Sequence, residues 1–90
     1  MTSTLGNTAK YAYTPVNVQV ATVMKVNPLS IHTATVSYCP HTGLYVVFRY
    51  TYYQGRTRTQ LVGSDFTNPL DATCAAVQAM PVGSELSYVE

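Results

Sequence analysis

The sequence predicts a small α+β domain that is mostly β, built as an antiparallel sheet or an open barrel with one short helix. Val, Thr and Tyr are frequent, and these residues suit a pleated, half-buried surface. Only 10% of the residues are charged, which is too few for a solvated helical bundle. A single stretch, from Asn68 to Met80, combines helix-start signals with several alanines. The predicted order of elements is therefore β-β-β-β-α-β.

The 90 residues allow one domain with a modest core, which buries roughly 60–65% of the surface of the unfolded chain. We predict a flexible N-terminal lead-in over residues 1–15 and a single β-rich domain over residues 16–90. Apolar residues alternate with polar ones in the first strand, residues 16–26, and we expect them to share its buried face. These residues are Val16, Val18, Val20, Met24 and Val26.

A second, threonine-rich strand is predicted over residues 30–39, followed by a turn over residues 40–43. Gly43 suits the left-handed position that closes such a turn. With this turn we expect Val36 to lie opposite Phe48, so that the two side chains share one core. Phe48 is therefore predicted to be buried against Val36, Leu61 and the helix.

Residues 44–61 form the densest run of β-formers and predict a hairpin around Gln54-Gly55. The two-residue turn pairs Tyr53 with Arg56 and Phe48 with Leu61. Since side chains alternate along a strand, one face is predicted to be the apolar, core-facing side. It carries Leu44, Val46, Phe48, Tyr50 and Tyr52. In this register all three arginines lie on the opposite face, which we expect to be solvated, and the hairpin ends near residues 62–63.

The helix prediction depends on three signals. Asn68 can cap the first turn, Pro69 suits the first helical position, and Asp71 places a negative charge near the helix N-terminus. Leu70, Cys74 and Val77 have helical spacing and are expected to pack on the sheet. We expect the helix to end at Met80, because Pro81 cannot continue it. A last strand is predicted over residues 85–89.

Two short motifs resemble a widespread bacterial family of small β-rich domains of unknown function. They are Tyr50-Thr51-Tyr52-Tyr53-Gln54-Gly55 and, after the helical segment, Pro81-Val82-Gly83-Ser84. The family typically opens with an Ala-Thr-Val strand, and Ala21-Thr22-Val23 takes that place here. The resemblance covers about residues 16–90 and implies the same topology, but it implies no catalytic residues. The sequence departs from the family in lacking the membrane helices that often accompany it and the Asp/Asn-Pro pair that often follows its last strand.

No motif in the sequence predicts catalysis, a metal site or a cofactor. Cys39-Pro40-His41 offers one pair of potential ligands, whereas structural zinc needs four. The same pair lacks a third group to orient His41 as the base for a Cys39 nucleophile. We expect both cysteines to be free thiols, although their spacing leaves a Cys39–Cys74 disulfide open. No leader-like or membrane-length apolar run is present, so we expect a cytoplasmic protein without membrane contact.

The face opposite Phe48 is the candidate binding surface. It carries Tyr45, Arg49, Tyr53, Arg56 and Arg58. Arginine among tyrosines is typical of protein interfaces and of platforms that stack single-stranded nucleic acid, but a plain solvated sheet face has the same composition. The formal net charge of +1 argues against bulk binding of duplex DNA.

These observations predict a non-enzymatic binding module that acts by protein–protein interaction. It would suit an accessory or viral or phage-type protein that docks on a larger partner. Binding of single-stranded nucleic acid is the alternative, and the sequence leaves homo-oligomerisation open.

Overall fold

The computed structural model describes residues 17–89, and these form one open antiparallel sheet with a helix on one side. The predicted lead-in over residues 1–15 and Val16 lie outside the described residues. The elements are β1 (Val18–Val26), β2 (Ser30–Cys39), β3 (Leu44–Tyr53), β4 (Arg56–Phe66), α1 (Pro69–Gln78) and β5 (Glu85–Tyr88). The strands lie in the order β4-β3-β2-β1-β5. The predicted α+β class and the order β-β-β-β-α-β are therefore confirmed.

The core lies between α1 and one face of the sheet, which we call the helix face. Its buried side chains are Ala21, Val23, Ala34, Val36 and Val47 from the sheet and Ala72, Ala76 and Met80 from the helical segment. Most of them are small, which lets the helix backbone approach the sheet closely at the density of a protein interior. The other side of the sheet, which we call the open face, is not covered by any element within residues 17–89.

The predicted pairing of Val36 with Phe48 is wrong by one residue, because Val36 pairs with Val47. The turn over residues 40–43 leaves Cys39 paired with Leu44, and the Gly43 N–H donates to the Cys39 carbonyl at 2.7 Å. A slip of one residue moves a whole strand's side chains to the opposite face. Val47 is therefore buried under the helix, and Phe48 lies half-buried on the open face.

The predicted buried face of β1 holds for Val20, which packs against the core, but is wrong for the rest of the described strand. Ala21 and Val23 are buried, whereas Met24 and Val26 are exposed on the open face. A β-bulge after Gln19 interrupts the pairing with β2. Since a bulge inserts one extra residue, a single alternation does not run through the whole strand.

The register of the β3–β4 hairpin is confirmed. Tyr53 pairs with Arg56 and Phe48 pairs with Leu61, as the two-residue turn predicts. Gln54 and Gly55 both have positive φ, at 50° and 74°, which matches a type I′ turn. The turn thus aligns the arginines of β4 with the helix-face side chains of β3.

β4 is longer than predicted and ends at Phe66. The pairing with β3 shifts twice in this region, and the Phe66 ring lies across Gly63. A Cβ at Gly63 would sit 2.8 Å from Cζ of Phe66. Gly63 therefore makes room for an aromatic ring that packs against the core.

The start of the helix is confirmed, but its packed side is not. The Asn68 side chain accepts a hydrogen bond from the Leu70 N–H at 2.7 Å, and Asp71 lies in the first turn. Leu70 and Val77, which were predicted to pack on the sheet together with Cys74, are exposed. Ala72 and Ala76 face the sheet instead, and their small side chains allow the helix to pack close to the sheet. The helix ends at Gln78, two residues before the predicted end.

Candidate functional site

The helix covers only one end of the helix face. A helix of 10 residues is about 15 Å long, whereas β3 has 10 residues and is about 33 Å long. The tip of the β3–β4 hairpin therefore extends beyond the area that α1 covers. Arg56 and Arg58 lie on the same side of the sheet as the core and remain exposed.

This uncovered end forms an open cleft of about 630 Å³, which we call the basic cleft. Its lining residues are His32, Arg49, Thr51, Tyr53, Arg56, Thr57, Arg58 and Gln60. The acids within residues 17–89 are Asp65, Asp71 and Glu85, and none of them lines the cleft. Three guanidinium groups without a lining carboxylate give the cleft a positive potential.

Arg49 forms the inner wall of the cleft and joins it to the helix. Its Nη1 donates to the Ala79 carbonyl at 2.8 Å. The last turn of α1 carries no basic residue of its own, so Arg49 supplies the cation that a helix C-terminus favours. Its Nε is buried without a hydrogen-bond partner in the described part of the chain.

His32 holds the other side of the Arg49 guanidinium. The distance from Arg49 Nη2 to His32 Nδ1 is 3.2 Å, and His32 Nε2 lies 3.2 Å from Ser30 Oγ. Since a guanidinium can only donate, Nδ1 accepts and the proton of the neutral ring is on Nε2. Ser30, His32, Arg49 and Ala79 thus form a continuous chain of hydrogen bonds that fixes the floor of the cleft.

Four of the five predicted site residues come together in the basic cleft: Arg49, Tyr53, Arg56 and Arg58. The fifth does not. Tyr45 packs against the core, and its ring centroid lies 5.1 Å from that of Tyr38. It shares the face of Arg49 but lies on the other side of buried Val47 and does not line the cleft.

Sequence reasoning missed the polar part of the lining, which comprises His32, Thr51, Thr57 and Gln60. The strand pairing would have identified most of these residues, because they pair with residues of the predicted site or with their neighbours. Thr51 pairs with His32 on one side and with Arg58 on the other, and Arg49 pairs with Gln60. A correct β2–β3 register would have placed His32 beside the arginines.

The two cysteines lie outside the basic cleft, and both are free thiols. A hydrogen bond from the Thr42 side chain, supported by the Thr42 backbone, lowers the pKa of Cys39 below the usual thiol range. The Thr42 hydroxyl also accepts from the Leu44 N–H at 3.2 Å. Residues 17–89 contain no group of three or more His, Cys, Asp or Glu that could hold a metal ion.

Comparisons with known proteins identify no relatives for this chain. No family model, curated protein or solved structure matches it significantly, and the resemblance to the bacterial β-rich family stays a prediction. Within the described residues, none of the helical segments has both the length and the apolar character to cross a membrane.

Proposed function

We propose that this protein is a non-enzymatic binding module that docks on a larger protein through the basic cleft, where it holds an acidic segment of the partner. The observation that carries this proposal is the placement of Tyr53, Arg56 and Arg58. All three are exposed, and they share one cleft that no described acid lines. The positive charge of the two arginines is therefore available to a ligand.

The geometry of the cleft favours specific binding over a merely solvated surface. Arg49 and His32 are held by hydrogen bonds to the helix end and to Ser30, so one wall is preorganised. The opposite wall lies on a continuously paired stretch of hairpin, from Phe48 and Leu61 to the turn. A preorganised site loses less conformational entropy when a ligand binds.

A carboxylate-bearing segment fits the chemistry of this lining. A guanidinium can bind a carboxylate through two parallel hydrogen bonds, and Arg56 and Arg58 point to the same side of one strand. Tyr53, which pairs with Arg56, provides an exposed aromatic ring beside these charges. Arginine and tyrosine are the residues most enriched among interface hot spots.

Single-stranded nucleic acid is the second candidate ligand. The exposed ring of Tyr53 beside two arginines supports it, because bases stack on aromatic side chains while cations bind the phosphates. The cleft has one exposed aromatic ring and three arginines, whereas strand-binding grooves combine several stacking rings with a longer basic track. This difference places protein binding first.

Fluorescence anisotropy tests the proposal with two defined probes, a labelled glutamate-rich peptide and a labelled oligothymidylate. We expect the peptide to bind the wild-type protein and the double variant Arg56→Ala, Arg58→Ala to bind it at least about tenfold more weakly, since truncating such anchors typically costs about 2 kcal/mol or more. Lys25 lies outside the cleft, so Lys25→Ala is the control for a loss of charge elsewhere. Equal binding by the double variant and the wild type would contradict the proposal.

Salt dependence distinguishes the two ligands. Binding to single strands falls log-linearly with salt concentration, with a slope set by the number of neutralised phosphates. Binding of the glutamate-rich peptide also weakens with salt because its charge pairs are screened, but less steeply, because a short peptide does not release a comparable layer of condensed counterions. A pull-down from the native host, with and without nuclease, then shows which class of partner depends on Arg56 and Arg58. Capture that disappears with nuclease would favour nucleic acid.

A further inference from the structure

We propose that the open face of the sheet is the interface of a homodimer, in which two copies pack face to face. The proposal goes beyond the basic cleft, which lies on the helix face. It starts from the distribution of large side chains. The core consists mostly of alanine and valine, and seven apolar residues of β1 to β4, most of them larger, lie on the other side. These are Met24, Ile31, Val46, Phe48, Tyr50, Tyr52 and Leu61.

The centre of this face is aromatic. Phe48 and Tyr50 are neighbours on β3, and their ring centroids lie 6.4 Å apart. Around them, Tyr52 is 49% exposed and Leu61 54% exposed. A contiguous exposed apolar patch of this kind marks an interaction site in a soluble protein.

The size of the face matches what a stable dimer needs. Four strands of 9 to 11 residues, spaced about 4.8 Å apart and about 30 Å long, together with the shorter β5, give a surface on the order of 650 Å². A typical specific interface buries about 800 Å² on each partner. Two such faces can pack about 10 Å apart with their strands inclined at about 30°, as in a β-sandwich.

The charge distribution favours a second copy as the occupant. In a two-fold symmetric interface the same patch meets itself, so a charge near its centre would face its own copy. The four described cations, Lys25, Arg49, Arg56 and Arg58, belong to the helix face by strand pairing. Among the strand residues that pairing places on the open face, Glu85 carries the only charge, and it lies on the edge strand β5. Asp65 lies in the unpaired bulge at the end of the other edge strand, β4. An uncharged patch can pack against a second copy of itself without like charges meeting. A charged partner would find no oppositely charged side chain near the centre of this patch.

The open face also carries three threonines on its inner strands, which are compatible with such packing. Thr22 of β1 pairs with Thr35 of β2, and Thr33 of β2 pairs with Met24 of β1 and Tyr50 of β3. The threonine methyl groups add apolar area, and cross-strand threonine pairs form hydrogen bonds without charge. The dimer leaves the two basic clefts on its outer sides, so binding there and dimerisation are independent.

Sedimentation equilibrium on the full chain, between about 1 and about 200 µM, tests this inference, because dimerisation depends on concentration by mass action. We expect the wild-type protein to be dimeric. Thr33→Lys places a lysine at the middle strand of each copy, and we expect it to raise the dissociation constant at least about tenfold, since burying an unpaired ammonium is costly. Thr67→Lys, in the exposed loop before α1, is the matched control and should leave the constant within about twofold.

Leu61→Lys keeps the test valid if Thr33→Lys fails to fold, because Leu61 is already more than half exposed. Circular dichroism and thermal melting show which variants are folded. A wild-type protein that is monomeric at every concentration would overturn the proposal, and another part of the chain or a different protein would then cover the face. Folded lysine variants that dimerise as strongly as the wild type would overturn it too, since the dimer interface would lie elsewhere.

Discussion

Two neighbouring valines on β3 provide the sharpest test of which side of the sheet is the core. Val47 is fully buried under the helix, whereas Val46 is half-buried on the open face. Truncating Val47 to alanine removes two buried methyl groups, at about 0.8 kcal/mol each, and leaves a cavity that adds about 1 kcal/mol. We therefore expect Val47→Ala to lower the free energy of unfolding by about 2.5 kcal/mol.

The same truncation at Val46 should cost less than about 1 kcal/mol, because the site is partly solvated and no closed cavity forms. Urea unfolding gives both values, and with a slope of about 1 kcal/mol per M the midpoint of Val47→Ala should fall by about 2.5 M. Both substitutions are made in the Thr33→Lys variant, so that dimerisation does not contribute to stability. A larger loss for Val46→Ala would refute the structural assignment and restore the face predicted from the sequence.

Three further predictions concern single side chains. Asn68→Ala should lose about 1 kcal/mol by removing the helix cap, and an unchanged urea midpoint would show that Asn68 does not cap. Gly63→Ala should lower the melting temperature, because the new Cβ would sit 2.8 Å from the Phe66 ring, and a variant as stable as the wild type would mean that the ring moves freely. The lowered pKa of Cys39 favours its thiolate, so the iodoacetamide reaction should have a midpoint below the usual thiol range, measured by mass spectrometry as a function of pH. Thr42→Val should move this midpoint upward, and no upward shift would contradict the assigned cause.

Local sequence signals predicted the parts of the fold that depend on a few neighbouring residues. Gln54-Gly55 set the register of the β3–β4 hairpin, because both residues adopt positive φ in a two-residue turn. Asn68 and Pro69 identified the helix start, because capping depends on residues within one turn. These rules require no knowledge of tertiary packing.

The side of the sheet that forms the core could not be predicted in the same way. It depended on whether residues 40–43 pair Val36 with Val47 or with Phe48, and a difference of one residue reverses the faces of β3. The sequence reasoning also assumed that the largest apolar side chains fill the core. The structure instead places small residues such as Ala34 and Ala76 between sheet and helix, because these let the two elements approach closely.

The sequence predicted which arginines lie together but not where they lie relative to the core. Arg49, Arg56 and Arg58 were grouped correctly, because the hairpin register places them on one face. The same register suggested that this face lies away from the core. Arg56 and Arg58 avoid burial because α1 covers only part of the sheet and its C-terminal end lies at Arg49. How much of the hairpin the helix covers depends on tertiary packing, which the local sequence does not reveal. The exclusion of Tyr45 from the cleft depends on the same packing.

The proposed function is tested most directly by an NMR titration of the wild-type protein with the glutamate-rich peptide. The basic cleft predicts that the largest amide shifts occur at Thr51, Tyr53, Arg56 and Gln60, with no comparable change on the open face around Phe48. Shifts that centre on the open face, or on the acidic residues Asp65, Asp71 and Glu85, would contradict the account.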